Sequence, residues 1–181
     1  MENLGEKEMS DSYEVENNGI DGEDPMGSLN HSSVQFKLGS LLDRCAGNKL
    51  HFATELSLDI GQYDLSEYRL DGKYEIKPDI CAYINFPVIP DKVDDLVTVS
   101  QMPDLAVEIL SPRQSIGYLI RKTKAYFELG VKSCWIVNPG MQTVAVYSHP
   151  NQRKNFDIER DTEVIDEVMD FSLPIQEIFS N

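Results

Sequence analysis

Two carboxylates sit where a folded chain tolerates them only with compensation. Glu108 interrupts the apolar run Leu105-Ala106-Val107-Glu108-Ile109-Leu110, and Asp79 stands between Pro78 and Ile80-Cys81-Ala82-Tyr83-Ile84. Both runs read as buried strands, where an ionised side chain is costly unless something pairs with it. Two such acids on neighbouring strands can share one divalent cation. A hard ion such as magnesium takes oxygen ligands and needs only one or two protein carboxylates, because it keeps several waters. That chemistry acidifies water and stabilises charge on a phosphodiester, and a nearby lysine can orient the water or neutralise the charge. The same two acids also admit a purely structural reading, in which backbone N–H groups or a lysine satisfy them.

The helix after the Glu108 strand supplies the lysine. Residues Ser115 to Leu129 carry a helical pattern, with Gly130 as the helix-ending glycine. On a wheel of about 100° per residue started at Ile116, Leu119, Ile120, Thr123, Tyr126 and Phe127 share one broad face. Lys122 and Lys124 border that face and Arg121 points away from it. Lys122 is the candidate and Lys124 its competitor. Asp104 is the other acid near Glu108, but four strand residues separate them, about 13 Å, which is too far to share one ion.

The remaining elements must bring these groups together. Apolar residues at Val34, Leu38, Leu41, Leu42 and Cys45 predict an amphipathic helix from about Ser28 to Cys45, ended by Gly47-Asn48. Leu50 to Ile60 alternates like a strand, placing Glu55 on the face of Ala53. Asp71-Gly72 marks a turn before the Asp79 strand, and Pro87 and Pro90 mark a loop before the Glu108 strand. Lys132 to Val137 and Thr143 to Tyr147 read as two more strands joined at Asn138-Pro139-Gly140. Beyond Pro150 the pattern weakens, with Phe171 to Phe179 as a closing segment. The whole predicts a mixed sheet flanked by helices, in the α/β or α+β class.

A chain of 181 residues is long enough for one domain with a real core. Residues 1–27 are polar, acidic and turn-rich and read as a flexible arm, leaving 28–181 as the domain. No apolar run approaches the roughly 20 residues that span a bilayer. The amino terminus has no apolar segment of the secretory kind, so the expected compartment is the cytoplasm. Cys45, Cys81 and Cys134 are far apart in apolar settings and read as reduced core residues. Neither they nor His31, His51 and His149 have the spacing of a zinc site.

The net charge of −15 opposes strong nucleic-acid binding until it is divided. Residues 1–30 hold nine acids and one lysine, and residues 151–181 eight acids and three bases, whereas 31–150 hold fourteen acids and twelve bases. Arg113, Arg121, Lys122 and Lys124 form a local basic stretch that could meet phosphates or simply face solvent. There is no phosphate loop, dinucleotide-binding turn or nucleophile elbow. Ser111 before Pro112 reads as a turn or cap residue, and Trp135 as core.

Taken in order, Pro78-Asp79-Ile80, Leu105 to Pro112, Lys122-x-x-x-Tyr126 and Gly130 to Pro139 resemble the Uma-type branch of the restriction-endonuclease-like PD-(D/E)XK superfamily. Pro25 to His31 ahead of a helix resembles its beginning, and the resemblance covers about Pro25 to Tyr147. It implies a restriction-endonuclease-like fold and a magnesium- or manganese-dependent endonuclease site acting on DNA, with Asp79 and Glu108 as metal ligands. The superfamily places a lysine two residues after the glutamate, where this chain has Leu110. In the Uma-type branch the lysine has moved to the following helix, which corresponds to Lys122. Glu55 best matches the further acid such sites often carry, and a homodimer would suit the cutting of two strands. The acidic termini favour a second expectation, a non-catalytic interaction module that keeps the nuclease fold.

Overall fold

The computed structural model describes residues 27–89, 93 and 95–180. Except for Gly27, the acidic arm read over residues 1–27 lies outside the described residues. Helix α1 spans Leu29–Ala46, followed by strands β1 (His51–Thr54), β2 (Ser57–Asp59), β3 (Glu75–Ile76), β4 (Ile80–Tyr83), β5 (Thr98–Val99) and β6 (Leu105–Ile109). Helix α2 (Ile116–Glu128) leads to β7 (Ser133–Asn138), β8 (Thr143–His149), β9 (Gln152–Asp157), β10 (Glu163–Asp166), β11 (Phe171–Pro174) and the short α3 (Ile175–Phe179).

A six-stranded sheet in the order β1-β4-β6-β7-β8-β9 forms the centre. Strands β6 and β7 are parallel and joined through α2, while the other pairs are antiparallel, so the sheet is mixed, as expected. Two small sheets, β3-β2-β5 and β10-β11, flank it. Every residue of β6 is buried, because both of its faces are covered. Leu105, Val107 and Ile109 pack with Val34, Leu38, Leu41 and Leu42 of α1. Ala106 packs on the opposite side with Tyr118, Leu119 and Tyr126 of α2. The period of two therefore hands Glu108 to the α2 side.

Helices α1 and α2 start on serine caps. Ser28 accepts from His31 N at 3.3 Å and Ser115 from Tyr118 N at 3.1 Å, each worth about 1 kcal/mol. Gly130, at φ +93°, closes α2 in a conformation that side chains disfavour. Cys81 and Cys134 are buried, Cys45 is half-buried, and all three are free thiols. No helix among the described residues is long and apolar enough to cross a membrane.

Four local expectations need correction. The alternation from Leu50 to Ile60 is not one strand: Glu55 sits at φ +53°, and the chain leaves β1 there to enter β2 of a different sheet. Asp79 is not inside a strand but at the bend immediately before β4, because Pro78 cannot donate to a ladder. The buried face of α2 comprises Tyr118, Leu119, Lys122, Thr123, Ala125 and Tyr126, with Ile116 48% exposed. The face is thus turned towards Lys122, and Arg121 does not point away but donates from Nε to the Tyr68 carbonyl at 3.1 Å. Beyond Pro150 three strands and a helix follow; β9 escaped notice because its first four residues are exposed and polar.

Candidate active site

Strand β6 and helix α2 build one half of the site. Glu108 is 3% exposed, and its two oxygens are held separately: Lys122 Nζ lies 3.0 Å from Oε2 and the Tyr126 hydroxyl donates to Oε1 at 2.7 Å. Lys122 and Tyr126 are four residues apart and so stand on one face of α2. Lys122 also donates to the carbonyl of Lys77 at 2.7 Å, which ties α2 to the segment carrying Asp79. Burial pushes the Glu108 carboxyl up to about 8; the Lys122 charge opposes this and the Asp79 charge adds to it. Lys124 faces elsewhere, lining a shallow groove with Tyr68, Phe127 and His149.

Helix α1 and the bend before β4 build the other half. The β4–β6 register pairs Ile80 with Val107, so its next step sets Asp79 beside Glu108. The Asp79 carboxylate is divided between two partners: Oδ2 accepts from Ile109 N at 2.5 Å, and Oδ1 lies 3.1 Å from His31 Nε2. That contact with the Asp79 carboxylate raises the His31 pKa above its ordinary value, with burial opposing. Glu55 is exposed at the rim. Its N–H donates to the Asp79 carbonyl at 3.2 Å, and Gln35 Nε2 donates to both Glu55 Oε1 at 2.8 Å and the same carbonyl at 2.9 Å. Outside Gln35 opens a groove of about 430 Å³ lined by Ser32, Phe36, Gly39, Ser40 and Thr54.

The fold thus gathers Glu108 and Lys122 into direct contact, with Asp79 alongside and Glu55 attached through Gln35. Sequence reasoning missed His31, Gln35 and Tyr126 as members of this cluster. Tyr126 carried a signal, its spacing of four from Lys122; His31 and Gln35 had none in spacing relative to Asp79. Asp104 serves a different purpose, accepting from Ile84 N at 2.7 Å and meeting Lys132 at 2.8 Å.

The donor set suits a hard divalent cation. Its candidate ligands are carboxylate oxygens, each able to accept more than one contact, and burial first, then the Asp79 charge, raises the Glu108 carboxyl despite Lys122. Among the described residues, no three His, Cys, Asp or Glu side chains form a closed metal cluster. A magnesium site needs no such cage, since one or two carboxylates suffice.

A mixed sheet between helices, with the Glu108–Lys122 pair near the end of β6 and Asp79 one register step away, is an α+β fold. The family Uma2, described as "Putative restriction endonuclease", matches residues 4–176, and the chain belongs to that family. A similar solved structure is "a putative nuclease belonging to DUF820" from Anabaena variabilis ATCC 29413, with a TM-score of 0.69 and 24% sequence identity. The match covers 87% of this chain and 84% of the other, and shows a shared fold. No curated protein matches the chain.

Proposed function

We propose that the protein is a magnesium- or manganese-dependent endonuclease that hydrolyses DNA phosphodiester bonds. The observation carrying this reading is the buried Glu108–Lys122 contact beside Asp79, in a chain of a restriction-endonuclease family. Asp79 and Glu108 would hold the divalent cation, which when bound supplies Lewis acidity to a water and to the phosphodiester. Glu55, at the rim, is the further acid. Tyr126 and Lys122 fix both oxygens of Glu108, and the Lys122 charge beside the site would offset negative charge gained by a scissile phosphate.

The net charge of −15 favours a second reading, an interaction module that retains the fold without turnover. Nicking of supercoiled plasmid in magnesium or manganese separates the two. Wild type is expected to cut, and Asp79→Ala, Glu108→Gln and Lys122→Met to lose about a hundredfold or more. Cutting that these substitutions leave unchanged, or no cutting by wild type, overturns the first reading.

A further inference from the structure

Helix α1 reaches the site from two positions one turn apart. His31 Nε2 meets the Asp79 side chain, while Gln35, four residues on, binds the Asp79 backbone and the Glu55 side chain. The i and i+4 positions share one helix face. An amide nitrogen carries two hydrogens, so both of Gln35's are committed, one to each acid residue. The imidazole's other nitrogen, Nδ1, is buried without a hydrogen-bond partner among the described residues, which leaves Asp79 to orient the ring.

This hold matters because secondary structure supplies only part of it: one backbone N–H to the Asp79 carbonyl and one to its carboxylate. Asp79 precedes β4, and Glu55 sits at a left-handed backbone position just after β1. Both acids lie where strand ladders have ended, so their conformations depend on local donors. The donors to them are two backbone groups, Glu55 N–H and Ile109 N–H, and His31 and Gln35 from α1.

We propose that His31 and Gln35 are positioning residues: they fix Asp79 and Glu55 in the geometry that binds the divalent cation, without touching it. The inference rests on the metal-dependent reading above and names what sets the affinity of that site. Partners that hydrogen-bond a ligating carboxylate typically account for about ten- to a hundredfold in metal affinity.

Free manganese measured by electron paramagnetic resonance, on the full chain, tests it. His31→Leu keeps the apolar volume and removes the donor, and is expected to weaken manganese binding about ten- to a hundredfold. His31→Gln, whose amide nitrogen reaches towards the position of Nε2, restores most of it. Gln35→Met weakens binding in the same direction and, at a half-buried position, keeps the test open should the ring replacement fail to fold. Melting curves in chelator establish that each variant is folded. Wild-type affinity in folded His31→Leu and Gln35→Met, with binding lost in Asp79→Ala, overturns this inference and leaves the nuclease reading standing. Failure of His31→Gln to recover affinity also overturns it, as a packing role would predict. No manganese binding by wild type removes both.

Discussion

Glu108 and Lys122 lie 3.0 Å apart with each side chain 3% exposed, although fourteen residues separate them in sequence. A pair so deeply buried is poor value for stability, since desolvation offsets most of the attraction. Its presence beside a second acid near the end of β6 supports the metal-dependent reading.

Removing Lys122 leaves Glu108 buried with no cation and drives its carboxyl further up. Lys122→Met should therefore destabilise the fold by about 3–5 kcal/mol. The double substitution Glu108→Gln with Lys122→Met should recover much of that loss. Urea unfolding of the four proteins in a double-mutant cycle measures the coupling, and additive losses would show that the two groups act independently.

The pH dependence has a definite sign. The Glu108 carboxyl moves from its ordinary 4.5 to about 8 in the fold, so the folded chain keeps a proton that the unfolded chain releases. The contribution of this group is full below about pH 4.5 and is lost as pH rises towards about 8. Between these values wild type should lose stability relative to Glu108→Gln, as read from urea midpoints in matched buffers. A constant difference would contradict the assignment.

Tyr126→Phe removes the hydroxyl that donates to Glu108 Oε1 and keeps the ring. The expected cost is about 1–3 kcal/mol, the range for leaving a buried acceptor unsatisfied. The same change should raise the Glu108 pKa further, because Tyr126 favours the ionised form. Carboxyl titration by NMR on labelled glutamate checks the direction.

Asp166 supplies the contrast. It is 1% exposed and accepts from Ser133 Oγ, Trp135 Nε1, Val168 N and Met169 N, which is the satisfied pattern of a structural acid. Asp166→Ala strands these donors at about 1–3 kcal/mol each as an upper scale, so thermal unfolding should shift far downwards. Manganese affinity of whatever protein remains folded should be unchanged; a specific loss would place Asp166 in the site.

Much of this arrangement was legible because burial and charge conflict visibly in a sequence. Glu108 stood out inside an all-apolar strand, and the helix carrying Lys122 announced itself by period and by Gly130. The orientation of that helix was less legible, since a wheel started at Ile116 takes an exposed residue as its reference. The break at Glu55 was invisible because alternation continues through it while the backbone turns left-handed. His31 and Gln35 sit more than forty residues from Asp79, and only tertiary packing of α1 on the sheet brings them there. Asp166 is one of eight acids in residues 151–181 and nothing in its spacing sets it apart, whereas its four donors come from β7 and the turn that follows β10.

Isothermal titration of manganese into wild type and into Asp79→Ala probes the metal-dependent account most directly. The account predicts saturable binding by wild type that disappears with the Asp79 carboxylate. Superimposable titrations of the two proteins, or no heat from either, would contradict it.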